Sequence, residues 1–232
     1  MSREYELKEL IETRTMIVGE KYKATAQIDF EPTEEWERSV MTRYEEVIKK
    51  VNIPKRYENV YFDDIDWHTT KQELAARKYL DTMRESQSGM IITGREGNGK
   101  TMFGVCIAKR AIMLGMTSLF VSEADIMNIW QGGNQNITDE DRHFLHKTVT
   151  VDVLVIDDCG YGKYSSDFVK SKLFLLHNTR YNGVLKTVLT TNRAINELFS
   201  LYDADDNSNR IKARLLNTCE HFMMTGKSRR MA

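Results

Sequence analysis

Gly94-Arg95-Glu96-Gly97-Asn98-Gly99-Lys100-Thr101 fits the pattern GxxxxGK[ST], and no other stretch of this chain restricts its fold as much. The apolar run Gly89-Met90-Ile91-Ile92-Thr93 precedes it, and a helical pattern to about residue 114 follows. A strand, a glycine loop and a helix in that order gather backbone N–H groups and a helix N-terminus around phosphate oxygens. Gly94, Gly97 and Gly99 permit the turn, and Glu96 and Asn98 fill it out. Lys100 supplies a point charge to the β- and γ-phosphates, while the Thr101 hydroxyl suits magnesium. The competing reading is a glycine-rich turn that matches by accident, which the flanking strand and helix argue against. The spacing therefore predicts a site for ATP and Mg2+.

Around this loop the pattern alternates. A helix over about 71–84 comes first; after the loop and its helix follow a strand over 118–121 and a helix around 125–130. A loop over 132–137 leads to a helix over 139–146. Further strands are expected at 152–156, 186–190 and about 220–224, with helical segments between them. Short apolar strands separated by helices give an α/β fold, a five-stranded parallel sheet covered on both faces. Upstream, residues 1–31 are polar and weakly periodic, with a helix expected only over 4–14. Pro32-Thr33-Glu34-Glu35 opens a second helix with acidic residues in its first turn, where the dipole favours them. Trp36, Val40, Tyr44, Val47, Ile48 and Val51 share one stripe of that helix. Pro54 ends it, because the residue before a proline leaves the α region. The expected division is a helical extension over 1–51 and an ATPase domain over 52–232.

Val153-Leu154-Val155-Ile156-Asp157-Asp158 is an apolar strand ending in two carboxylates. Some 50 residues after a phosphate loop, Asp157 is expected to order magnesium and its waters, and Asp158 to orient or deprotonate the attacking water. Strands also end in Asp merely on entering a turn, and Gly160 makes a turn natural here. Leu185-Lys186-Thr187-Val188-Leu189-Thr190-Thr191-Asn192 is another apolar strand, ending in an amide that would lie near the γ-phosphate. Helix capping is the alternative use for Thr191 and Asn192. Arg210 and Arg214, four apart on an expected helix, share a face. Their planar forks suit phosphate charge, in a neighbouring subunit or their own, although spacing alone favours a solvated basic face.

Composition removes several classes. At 232 residues, 41% hydrophobic and 29% charged, the chain reads as a soluble globular protein with one core and an appendage. A net charge of −1 leaves any nucleic-acid contact to local patches. Cys106, Cys159 and Cys219 are scattered without a CxxC pair, which argues against zinc and for a reducing compartment. The charged start MSREYELKEL is no signal peptide, and no apolar run reaches membrane-spanning length, so the expectation is cytoplasmic, without a membrane. Lys163, Tyr164, Lys170 and Lys172 mix basic and aromatic residues as a single-strand binder would, or mark a solvated helix start. Tyr161 and Phe168 read as core, and His143 and His146 as surface residues. The Trp36/Val40/Tyr44 stripe either packs on its own domain or docks into a partner.

These features together resemble the AAA+ helicase loaders of the DnaC/DnaI type and their relative IstB, a transposition helper ATPase. The resemblance spans about residues 52–230. It rests on Ile53-Pro54-Lys55-Arg56-Tyr57 with Phe62-Asp63-Asp64-Ile65, the phosphate loop, and Val121-Ser122-Glu123-Ala124-Asp125-Ile126-Met127. The metal-side strand, Thr191-Asn192, Arg210-Ile211-Lys212-Ala213-Arg214-Leu215 and the basic ending Gly226-Lys227-Ser228-Arg229-Arg230 complete it. It implies an AAA+ P-loop fold, with Arg210 as arginine finger and Arg214 as second sensor. It further implies self-association through the ATP sites, assembly with a hexameric replicative DNA helicase, and contact with single-stranded DNA. Hydrolysis would be slow until finger and sensor meet across subunits. The short extension lacks the cysteine-rich zinc module of some loaders, and a loader this compact would suit a phage or prophage. An IstB-like regulator of a transposase shares the same ATP site. A small-molecule kinase would need an arginine-rich lid, and 132–147 has few arginines.

Overall fold

A computed structural model of the chain describes residues 3–26, 31–131, 137–161, 167–202, 206–226 and 228. Residues 132–136 of the expected loop over 132–137, Lys163 and Tyr164, and Lys227, Arg229 and Arg230 of the basic ending lie outside them.

Five strands form one parallel sheet in the order β2-β3-β4-β1-β5. They are β1 (Gly89–Gly94), β2 (Ser118–Ser122), β3 (Val153–Asp157), β4 (Lys186–Thr191) and β5 (Cys219–Met224). All five lie where the apolar runs placed them, to within a residue. Alternation along each strand divides the core. On β3, Val153 and Val155 face one cluster while Leu154 and Ile156 face the other. Helices α3 (Thr70–Thr82) and α4 (Lys100–Met113) belong to the first face. The second holds α5 (Glu123–Gln131), α6 (Asp139–Thr150), α7 (Asp167–Asn182), α8 (Ile195–Leu201) and α9 (Asp206–Thr218). Gly104 lets α4 lie close on the sheet, since a Cβ there would meet Val155 Cγ1 at 3.1 Å.

The N-terminal residues depart from expectation. Instead of a helix over 4–14, one helix, α1, runs Arg3–Ala26. Its weak apolar periodicity hid it, because few side chains do the packing: Leu10 is fully buried, and Arg110 donates to Glu9 and Thr13 at 3.3 and 3.0 Å. Helix α2 (Glu34–Ile48) starts as expected, with the Thr33 hydroxyl accepting the Trp36 N–H at 3.2 Å. Its stripe faces the chain's own core: Tyr44 is buried, and Val40, Val47 and Ile48 pack against the same cluster as α4. Of the two readings of that stripe, packing on its own chain is the one observed. After α2, Val51 O accepts the Phe120 N–H at 2.7 Å and the Asn52 amide donates to Phe120 O at 3.1 Å. This segment thereby covers the outer edge of β2, which would otherwise offer unpaired backbone groups.

Two polar side chains sit deep in the second face. Arg180 on α7 is fully buried, and His177 one turn earlier is 3% exposed with Nδ1 unpaired among the described residues. Burial, reinforced by the Arg180 charge, pushes the His177 pKa down from 6.5 to about 4. The unfolded chain therefore binds a proton below pH 6.5 that the folded chain refuses until about pH 4, so stability is lost as pH falls through that window. Burial acts oppositely on Asp157, which is pushed up to about 6 and loses stability as pH rises over a similar range. The His177 contribution is thus expected as a difference: urea denaturation of wild type against His177→Leu should show their stability gap changing by about 2 kcal/mol between pH 7 and pH 5. A pH-independent gap would mean that His177 protonates freely in the folded protein.

Candidate nucleotide-binding site

Strand β1 ends at Gly94, and the chain turns through Gly97 (φ +80°) and Gly99 (φ +90°) into α4. Both are left-handed conformations that a side chain disfavours, and Gly99 is the N-cap of α4. Lys100 is buried and its Nζ donates to Arg95 O at 2.7 Å, so the cation lies across the loop mouth. Asn98 is also buried and anchors the loop to β5 through its amide, donating to Met224 O at 3.1 Å. Glu96 and Gly97 border the cleft.

Opposite the loop, Asp157 closes β3. It accepts a hydrogen bond from the Thr190 hydroxyl, and the Thr101 hydroxyl lies near enough to favour its charged form. Burial is the main reason its pKa rises to about 6, with the neighbouring Asp158 adding to it; the two hydroxyls and the Lys100 charge act against the rise. Thr101 and Asp157, the two expected magnesium ligands, are thus near neighbours. Hydroxyl and carboxylate are hard oxygen donors of the kind magnesium takes, with few protein ligands and the rest from phosphate and water. Among the described residues no cluster of three His, Cys, Asp or Glu forms a metal cage.

Asp158 follows in a left-handed conformation (φ +53°) and is exposed to the cleft. The cleft has a volume of about 540 Å³ and is lined by Lys100, Thr101, Asp158, Asn192, Tyr161 and Arg56 among others. Asn192 therefore shares the cleft with the phosphate loop and the acid. Neither it nor Thr191 caps the next helix, whose N-cap is Ala194. Thr191 instead donates to Cys159 O at 2.7 Å.

The two arginines of α9 stand apart. Arg210 is exposed, and neither it nor Arg214 lines the cleft. Arg214 donates to Arg210 O at 3.1 Å, and its guanidinium lies 5.3 Å from the Phe174 ring centre and 5.4 Å from that of Tyr181, both on α7. A cation over aromatic faces is held by the ring quadrupoles.

Sequence reasoning misjudged or missed several neighbours. Tyr161 and Phe168, expected in the core, are 59% and 45% exposed. Tyr161 faces the cleft and accepts the Asn192 amide at 2.7 Å, and Phe168 lies under Lys172 Nζ at 5.3 Å. An apolar-looking ring beside glycine gives no sign of which way it turns. Arg56, 4.9 Å over the Tyr57 ring, also borders the cleft. Thr190 accepts the Asp158 N–H and Glu123 the Gly160 N–H, and Arg193 donates to Gly160 O at 2.7 Å. His143 and His146 are exposed, as expected.

The family model described as IstB-like ATP binding protein matches residues 26–232. The chain belongs to this family. Among curated relatives, the replicative helicase loader DnaC of Buchnera aphidicola subsp. Schizaphis graminum is 32% identical over 124 residues, 51% of this chain and 50% of that one. DnaC of Escherichia coli K12 is 25% identical over 126 residues, 54% of this chain and 51% of that one. The chain spans about half the length of the curated relatives it matches. Solved structures of the DnaC helicase loader (TM-score 0.62, 22% identity, 74% of this chain and 99% of that one) and of DnaI (0.65, 19%, 78% and 98%) share the fold. So does the replication initiator DnaA bound to AMPPCP and single-stranded DNA (0.57, 17%, 76% and 52%). The fold of this IstB-like protein is thus the AAA+ P-loop fold: a five-stranded parallel sheet flanked by helices.

Proposed function

We propose that this chain is an ATPase that loads a hexameric replicative DNA helicase onto single-stranded DNA at the start of replication. The observation that carries the ATP half is the convergence of Thr101, Asp157 and the buried Lys100 at one cleft, inside a family described as ATP-binding. Support for the helicase half comes from curated relatives named as replicative helicase loaders.

In this reading the loop amides and Lys100 hold the β- and γ-phosphates, and Thr101 and Asp157 hold Mg2+. Magnesium, when bound, offsets phosphate charge. Asp158 accepts a proton from the attacking water, and Asn192, oriented by Tyr161, places that water against the γ-phosphate. Arg210, exposed on α9, is offered to the ATP of a neighbouring copy. Arg214 must leave Phe174 and Tyr181 to reach its own nucleotide, which makes it a sensor that responds to α9 movement. Residues 1–51 form the helicase-docking extension, using the outward faces of α1 and α2 because the apolar stripe is already engaged. Lys170 and Lys172 with Phe168 offer charge and a stacking surface to single-stranded DNA. The protein works in the cytoplasm; among its described residues no helix is long and apolar enough to cross a membrane.

Native mass spectrometry of the protein with the replicative helicase of its host, with and without ATP, tests this. A defined complex with the helicase hexamer is expected. Its absence in every nucleotide state, with the helicase hexamer intact, would favour the second reading, an IstB-like ATPase that regulates a transposase on DNA. That reading draws on the family's own description and uses the same ATP site.

A further inference from the structure

The three residues after β3 carry the proposed catalytic acid, and their backbone is held from two sides. Asp158 N–H donates to the Thr190 hydroxyl at 3.0 Å, and Cys159 N–H to Thr190 O at 2.8 Å. Cys159 O accepts the Thr191 hydroxyl at 2.7 Å, and Gly160 O accepts Arg193 Nε at 2.7 Å. Those four bonds come from the end of β4 and the residues just after it. From the opposite side, Glu123 at the start of α5 accepts the Gly160 N–H through Oε2 at 2.8 Å. Its other oxygen accepts the Tyr202 hydroxyl at 2.8 Å.

Glu123 is 2% exposed and Tyr202 equally buried. A buried carboxylate is costly unless its oxygens meet donors, and here each oxygen has one fixed by geometry. The left-handed conformation of Asp158 is one a non-glycine residue keeps only where its surroundings over-determine it. Tyr202 ends α8, and its ring belongs to the same buried cluster as Phe199 of α8 and Ile211 and Leu215 of α9. A path thus runs from α8, which packs against α9, through Tyr202, Glu123 and Gly160 to Asp158.

We propose that Glu123 is a positioning residue for Asp158, and that Tyr202 links it to the α8–α9 pair so that the placement of α9 sets the rate of ATP cleavage. This rests on the reading of Asp158 as the group that acts on the attacking water. It adds to that reading a route by which a partner that moves α9 reaches the acid without touching the nucleotide.

Tyr202→Phe removes one hydroxyl and keeps the ring, so it tests the link in a folded protein; Glu123→Ala tests the positioning itself. With full-length protein, helicase and single-stranded DNA present, kcat should fall about 10-fold in either variant. Affinity for a fluorescent ATP analogue should stay within about twofold, because the phosphate loop is untouched. In an Asp158→Asn background, Tyr202→Phe should cause no further loss, since both act through one group. An unchanged kcat in Tyr202→Phe, or a full additional loss on Asp158→Asn, overturns the proposal. If wild-type protein binds the analogue yet never turns over ATP, the ATPase reading fails on its own. The tie is then decided by amide exchange over 158–160, and unchanged exchange in both variants overturns it.

Discussion

Lys100→Ala should weaken ATP binding by at least about 100-fold, near 3 kcal/mol, while leaving the protein folded. The lysine is buried with its Nζ on Arg95 O, inside a loop that turns through two left-handed glycines. Removing the cation deletes the one formal charge in the loop's GK pair that opposes the triphosphate, and a surrounding set of neutral N–H groups does not replace it. The fold should survive, because Asn98 still anchors the loop to β5 and Phe103 still packs α4 into the core. Titration with a fluorescent ATP analogue, alongside thermal melting, reads both. Wild-type affinity in a folded Lys100→Ala would remove the phosphate loop from the site.

Arg180→Met should cost about 3–5 kcal/mol of stability, the largest single effect expected away from the cleft. Arg180 is fully buried, and every arm of its guanidinium is engaged. Nε donates to the Thr187 hydroxyl at 3.0 Å and Nη2 to Lys186 O at 2.6 Å. Nη1 donates to Thr148 O and Val151 O at 2.9 and 3.0 Å. The last two are carbonyls at the C-terminal end of α6, where the helix dipole favours a cation. Burial lowers its pKa to about 9, which still leaves it charged at neutral pH. Methionine fills similar volume but strands four acceptors without solvent. At about 2–4 °C per kcal/mol for a chain of this size, the midpoint should drop by about 10 °C. A loss under about 1 kcal/mol by urea denaturation would mean that water reaches those carbonyls. Lysine should not rescue, since a single ammonium cannot span a fork.

Arg180 also shows where sequence reading ends. In the chain it is an ordinary basic residue in the last turn of an amphipathic segment, and nothing local distinguishes it from Arg142, which is exposed on α6. What buries it is the meeting of α6, α7 and β4. Glu123 is a similar case. It reads as an acid in the first turn of a helix, a solvated position by default, and becomes buried because Gly160 and Tyr202 arrive over it. Tyr161 went wrong the other way. Its ring suggested core, and only the turn after Asp158 aims it into the cleft.

The candidate site residues legible in the sequence are those whose local geometry is set by neighbours within one strand–turn–helix unit. The phosphate loop, the acids at the end of β3 and the amide after β4 belong there, and each depends on backbone geometry over fewer than about ten residues. The same holds for the five strands, where short apolar runs bounded by turns leave little choice. Strand order was decided elsewhere: β1 lies between β4 and β5, so residues from opposite halves of the chain become neighbours. The full length of α1, the burial of the α2 stripe, the stacking of Arg214 on α7 and the Glu123–Tyr202 tie likewise depend on packing between separate elements. Such contacts join residues distant in sequence, and their energy depends on burial and on which donors arrive, neither of which is encoded in any local window.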